Sequence, residues 1–149
     1  MTRLRPILLV EDSARDAELT LEALAENRLA NQVVWTRDGA EGLDYLYRRG
    51  GFASRSNEPP LLVLLDLKLP KVDGLEVLRR IKSDPELRLI PVVMVTSSRE
   101  EKDLIESYRL GVNAYVVKPV GFEQFSEAVK NLSIFWAMIN EPPPAVAAK

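Results

Sequence analysis

Four segments of this chain end an apolar run in a residue able to do chemistry. Asp66 closes Leu61-Leu62-Val63-Leu64-Leu65, and Glu11-Asp12 follow Ile7-Leu8-Leu9-Val10. Thr96 ends Pro91-Val92-Val93-Met94-Val95, and Lys118 follows Ala114-Tyr115-Val116-Val117. A carboxylate at the end of a buried run is expensive unless something compensates it. If Glu11, Asp12 and Asp66 converge, two like charges about 4 Å apart repel by roughly 4 kcal/mol at an effective dielectric of about 20. Such a cluster needs a cation or a raised pKa. An oxygen-only set suits Mg²⁺, a hard ion that takes few protein carboxylates and keeps water and phosphate in its shell. Adding a lysine charge and a threonine hydroxyl makes a phosphoryl-transfer set, in which Asp66 attacks and the other groups neutralise the transferred group.

Each residue also has a plainer reading. Glu11-Asp12 could be a solvated loop that favours the first turn of a helix. Lys118, before Pro119, could be a surface turn residue. Thr96, Ser97 or Ser98 could cap the next helix, and Asp73-Gly74 fits turn chemistry. Only Asp66, after five apolar residues, stands out alone. The coincidence of all five groups at one edge carries the argument.

That edge follows from the order of the elements. Strand-like runs at 7–10, 33–35, 61–65, 92–95 and 114–117 alternate with helical patterns. Ser13 is a plausible N-cap, with Ala14, Ala17, Leu21 and Leu24 at helical spacing after it. Asp38-Gly39 opens a second helix carrying Leu43, Leu46 and Tyr47, and 50–60 reads as a long mobile loop. Leu75, Leu78 and Ile81 form a third helical stripe that Pro85 ends. The fourth helix runs from about Arg99 to Leu110 and stops at Gly111. The fifth runs from about Phe122 to Ile139. Strands that are continuously apolar mark a sheet covered on both faces. The expected fold is α/β, a doubly wound five-stranded parallel sheet of flavodoxin type, with ligands outside the carboxyl ends of the strands.

Composition narrows the chemistry. The 149 residues suit one domain, 1–140, with 141–149 reading as a disordered tail and no room for an output domain. Apolar residues at 46% and charged residues at 28% are an ordinary soluble balance. The net charge of −2 gives no reason to expect nucleic-acid binding. No cysteine and no histidine are present, so thiolate and imidazole chemistry are excluded and a cytoplasmic location fits. The apolar run after the basic start stops at Val10, too short for a signal peptide, and no stretch is long enough to span a membrane.

Glu11-Asp12, then Asp66-Leu67-Lys68-Leu69-Pro70-Lys71-Val72-Asp73-Gly74, then Thr96-Ser97, then Gly111-Val112-Asn113-Ala114-Tyr115-Val116-Val117-Lys118-Pro119 closely resemble the receiver domain of two-component response regulators. The resemblance runs from about Pro6 through the fifth helix. It implies that Asp66 is the phosphoacceptor and that Glu11, Asp12, Asp66 and the Lys68 backbone carbonyl bind Mg²⁺. It implies that Thr96 turns toward the phosphoryl oxygens, that Lys118 pairs with the phosphoryl group, and that Tyr115 is an aromatic switch. Lys118-Pro119 is then expected to be cis. The side chains of Lys68 and Ser98 would flank the site and tune hydrolysis. The donor would be a phosphohistidine on a sensor histidine kinase, a role closed to a chain without histidine.

The fifth helix bears on output. Phe125, Val129, Leu132, Trp136 and Ile139 form a core stripe, while Ile134, Phe135 and Met138 leave 132–139 apolar almost all round. Deeper burial is one reading; a self-association surface, an isologous homodimer, is the reading we favour. The Phe135-Trp136 pair and the long loop after the second helix also resemble the small regulators that partner bacterial phytochrome kinases, which implies red-light signalling upstream. Three rival classes stand beside this one. A pseudo-receiver binding module would not be phosphorylated. An aspartate phosphatase of the haloacid-dehalogenase type would carry a second Asp where Lys68 stands. A flavin or nucleotide binder would carry a Gly-rich phosphate loop, which is missing after Val10 and Leu65.

Overall fold

The computed structural model describes residues 5–26, 31–56, 58–119 and 121–130. Five parallel strands, β1 (Ile7–Val10), β2 (Val33–Thr36), β3 (Leu62–Leu65), β4 (Val92–Thr96) and β5 (Ala114–Val117), form one sheet in the order β2-β1-β3-β4-β5. Between and after them lie α1 (Ala14–Glu26), α2 (Gly39–Tyr47), α3 (Gly74–Ser83), α4 (Glu101–Arg109) and α5 (Phe122–Lys130).

The strands alternate between two cores. Ile7, Leu9, Leu62, Leu64, Val93, Val95 and Val116 pack with Ala17, Ala23 and Leu24 of α1 and with Phe125 of α5. Leu8, Val10, Val63, Leu65, Val92 and Met94 pack with Leu43 and Leu46 of α2 and with Val77, Leu78 and Ile81 of α3. Successive side chains of a strand point to opposite faces. Both faces are covered here, so both sets must be apolar, as the expected doubly wound fold requires. Fully burying one such leucine or phenylalanine contributes about 1.5–3 kcal/mol.

Local chemistry sets the helix ends. The Ser13 hydroxyl accepts from the Asp16 N–H at 3.2 Å, capping α1 as expected. The face that α1 buries is rotated from the expected one: Ala17, Thr20, Ala23 and Leu24 are inside, while Ala14 and Leu21 are exposed. A buried threonine completes the stripe where the apolar pattern had chosen leucine. The Asp38 carboxylate caps α2 through the Glu41 N–H at 2.7 Å. Helix α3 ends before Pro85, whose ring disfavours helical backbone at the preceding residue. Helix α4 begins at Glu101, two residues later than expected, and is followed by Gly111 at φ +103°. Its amphipathicity is inverted: Asp103 and Ser107 are buried, whereas Leu104, Ile105 and Tyr108 are exposed.

The loop after α2, expected to be mobile, has contacts to α2 among its described residues. Gly50–Phe52 form a 3₁₀ turn, and the Phe52 ring meets Tyr45 edge-on at 5.1 Å. The Arg55 guanidinium lies 4.3 Å over Tyr45. It donates to the carbonyls of Tyr45 (2.6 Å) and Leu46 (3.3 Å) and to those of Ser56 (2.7 Å) and Glu58 (3.0 Å). One cation thus supplies donors to last-turn carbonyls of α2, where the Tyr45 carbonyl also accepts from the Arg48 N–H at 3.3 Å. On α5, Phe125 is fully buried as expected. The rest of the expected stripe beyond Lys130, the association surface of Ile134, Phe135, Trp136 and Met138, and the tail 141–149 lie outside the described residues.

Candidate functional site

The chain leaves β1 for the edge strand β2 and returns to β3 on the other side of β1, so the strand order reverses between β1 and β3. Ligands of such sheets bind outside the carboxyl ends of the strands at this point. Glu11 and Asp12 follow β1 and Asp66 follows β3. Backbone bonds fix both ends: the Asp66 N–H donates to the Val10 carbonyl (3.1 Å) and the Glu11 N–H to the Thr36 carbonyl (3.0 Å). One carboxylate oxygen each from Glu11, Asp12 and Asp66 lie within 4.8 Å of one another. Glu11 and Asp66 are buried, at 1% and 7% exposure, while Asp12 is open to solvent.

Lys118 is the counter-ion. Its Nζ lies 2.8 Å from Glu11 Oε1, 2.8 Å from Asp16 Oδ2 and 3.0 Å from Asp66 Oδ2. An ammonium has three donors, and each faces a carboxylate. Burial would push the Lys118 amine down, but the hydrogen bonds to Asp16 and Glu11 and the Asp66 charge outweigh it, and the amine stays above its ordinary value. Burial pushes the Glu11 carboxyl up to about 7, against the opposing hydrogen bond from Lys118. The second Glu11 oxygen accepts from the Ser13 N–H at 3.1 Å. The Lys118-Pro119 peptide is cis, as the resemblance implies.

Thr96 is buried at the end of β4, and its hydroxyl accepts from the Ser98 N–H at 3.2 Å. The Thr96 carbonyl accepts from the Lys118 N–H at 2.8 Å, joining the ends of β4 and β5. The Tyr115 hydroxyl donates to the Ser98 carbonyl at 3.2 Å. Thr96 and Tyr115 therefore hold the same residue from its two backbone ends. The Ser98 hydroxyl, expected to flank the site, donates to Asp103 (2.5 Å) and accepts from the Glu100 N–H (3.3 Å). Lys68 follows Asp66 by two residues and its side chain is exposed.

Gly74 has a steric duty beyond the turn. A Cβ there would overlap the carbonyl oxygens of Asp66 and Leu67, on which the start of α3 rests. The preceding turn is strained: Lys71 adopts φ +70°, and the Val72 N–H donates to the Pro70 carbonyl at 2.7 Å. Two contributors were missed at the sequence level. Asp16 looks like an ordinary first-turn acid, and nothing in its spacing points to Lys118. Trp35 reads as a strand residue, yet its Nε1–H donates to the Glu11 carbonyl at 2.8 Å.

The residues the sequence nominated from four loops meet at one edge, and the donor set fits a hard divalent cation. It is oxygen-only, two-thirds buried and open at Asp12, so bound water can complete the shell. The family model for the response regulator receiver domain matches residues 7–130. The chain belongs to that family, whose domains bind divalent metal. Among solved structures, the bacteriophytochrome response regulator AtBRR is 62% identical with a TM-score of 0.85, over 94% of this chain and all of that one. Response regulator Rcp1 of Synechocystis sp. is 42% identical over 87% of both chains. Its Mn²⁺-bound structure aligns with a TM-score of 0.75 over 93% of this chain and 99% of that one, at 39% identity. A probable methanogenesis regulatory protein, FilR2 of Methanothrix harundinacea, is 43% identical over 92% of this chain and 86% of its own.

Proposed function

We propose that this protein is a single-domain response regulator that takes a phosphoryl group from a sensor histidine kinase onto Asp66, with Mg²⁺, in the cytoplasm. An Asp66 carboxylate oxygen attacks phosphorus of the kinase phosphohistidine; the new O–P bond forms as the N–P bond breaks, and the imidazole nitrogen leaves. Glu11, Asp12, Asp66 and the Lys68 carbonyl would hold the Mg²⁺, which would supply positive charge to the transferred oxygens. Lys118, already 3.0 Å from Asp66 Oδ2, supplies a second charge without first having to move. Thr96 turns its hydroxyl to a phosphoryl oxygen and gives up the Ser98 N–H. That loosens the backbone whose carbonyl holds the Tyr115 hydroxyl, so the site's state reaches the surface of β5 and α4. Water attack on phosphorus later breaks the O–P bond, releases inorganic phosphate and restores the Asp66 carboxylate.

One observation carries this reading: a single ammonium within 3.0 Å of Asp66 and Glu11, beside a third acidic group placed for a metal. The kinase is of the bacterial phytochrome type, a reading supported by AtBRR at 62% identity and by the phosphorylated cyanobacterial phytochrome regulator RcpA at 46%. Output is a homodimer, for which the apolar sequence of Ile134, Phe135, Trp136 and Met138 is the support. Incubation with an autophosphorylated bacterial phytochrome tests the assignment. Label should move to the wild-type protein and not to Asp66→Asn; no transfer to either, from a kinase that phosphorylates its own regulator, rejects the pairing.

A further inference from the structure

Lys118 carries more partners than the transfer reaction uses. Its ammonium is shared among Glu11, Asp16 and Asp66, at the start of the loop after β1, the first turn of α1 and the end of β3. Two of these belong to the carboxylate trio that lies within 4.8 Å; Asp16 does not. A cation held by the trio draws charge from Glu11 and Asp66, and phosphorylation converts Asp66 itself. Asp16 is then the one carboxylate contact of Lys118 that neither event alters. Its side chain is one-third exposed, so it is neither a core residue nor a freely solvated one. It is also committed to geometry from its own end, because its N–H donates to the Ser13 hydroxyl that caps the helix. A lysine is a compact charge on a flexible four-carbon stem and does not hold a direction unaided.

We infer that Asp16 is a positioning residue for the transfer reaction: it anchors the Lys118 ammonium so that one N–H stays aimed at the Asp66 oxygen while the other contacts are redistributed. The inference rests on the proposed phosphoacceptor role of Asp66. Without this anchor the ammonium follows whichever carboxylate is left uncompensated, and misplacement of a charge by about 1 Å can cost up to a hundredfold in rate.

The test compares wild type, Asp16→Ala and Asp16→Asn for the initial rate of phosphorylation by acetyl phosphate at saturating Mg²⁺, with the Mg²⁺ Kd measured in parallel. Asp16→Ala should be about tenfold slower, equivalent to about 1.4 kcal/mol of barrier. Asp16→Asn, which keeps an acceptor oxygen at the same reach, should recover part of the rate, and the Mg²⁺ Kd should stay within about twofold in both. Three results would overturn the inference: Asp16→Ala as fast as wild type, Mg²⁺ affinity lost in proportion to rate, or Asp16→Asn no faster than Asp16→Ala. A wild-type protein that takes no phosphoryl group would instead reject the phosphoacceptor reading itself.

Discussion

Replacing Lys118 by methionine isolates the charge that holds the acidic hollow together. Methionine keeps the apolar stem and deletes the ammonium, leaving Glu11, Asp16 and Asp66 without their contacts at 2.8–3.0 Å. Removing one partner of a buried ion pair costs about 3–5 kcal/mol. Urea unfolding with EDTA should therefore show a loss of about 3–5 kcal/mol, a midpoint shift of about 2 M at a slope near 2 kcal/mol/M. Mg²⁺ at about a hundred times its Kd should return about 2.7 kcal/mol, because a divalent ion can replace the missing charge. A loss below about 1 kcal/mol in EDTA, or no recovery with Mg²⁺, would refute the reasoning.

Four further expectations follow from the same geometry. In metal-free protein Glu11 titrates near 7, above its unfolded value of about 4.5, so the native state binds the extra proton between those values and stability falls as pH rises through that window; Glu11→Gln should flatten the slope, and an unchanged slope counts against the buried carboxyl. Gly74→Ala must push α3 off the Asp66 and Leu67 carbonyls, with an expected loss of about 1–3 kcal/mol in urea and slower acetyl phosphate labelling; a variant as stable and as fast as wild type contradicts the contact. Arg55→Ala should raise amide exchange across 50–60 and cost about 1–3 kcal/mol, whereas unchanged exchange would mean the loop does not depend on it. Phe135→Ala with Trp136→Ala should convert a dimer to a monomer by light scattering with beryllofluoride; a folded variant of unchanged mass removes the helix-five interface.

The fold was legible because burial on both faces keeps the inner strands β1, β3 and β4 apolar along their length, and five strand-like apolar runs alternated with helical patterns. Asp66 was legible because a carboxylate stood out against five apolar residues, whereas Glu11-Asp12, Thr96 and Lys118 became legible only together, as groups that all close apolar runs at one edge of the sheet. What the sequence hid depends on direction rather than type. Asp16 lies 102 positions from Lys118, and no local pattern records that its carboxylate meets the ammonium. Thr20 displaced Leu21 from the buried face of α1 because helix rotation is set by the whole packing, not by the most apolar residue. The Ser98 hydroxyl donates to Asp103, a partner that only the fold of the start of α4 supplies. The 50–60 loop was read as mobile from composition, which does not record that Arg55 reaches backbone carbonyls and an aromatic face.

The central claim is that Asp66 accepts a phosphoryl group in a metal-dependent reaction. Its most direct measurement is tandem mass spectrometry after treatment with acetyl phosphate, with Mg²⁺ and with EDTA. One phosphoryl group on Asp66, formed with Mg²⁺ and missing with EDTA, is the predicted result. A protein that remains unmodified under both conditions, or that carries the group on another residue when Asp66 is intact, would contradict it.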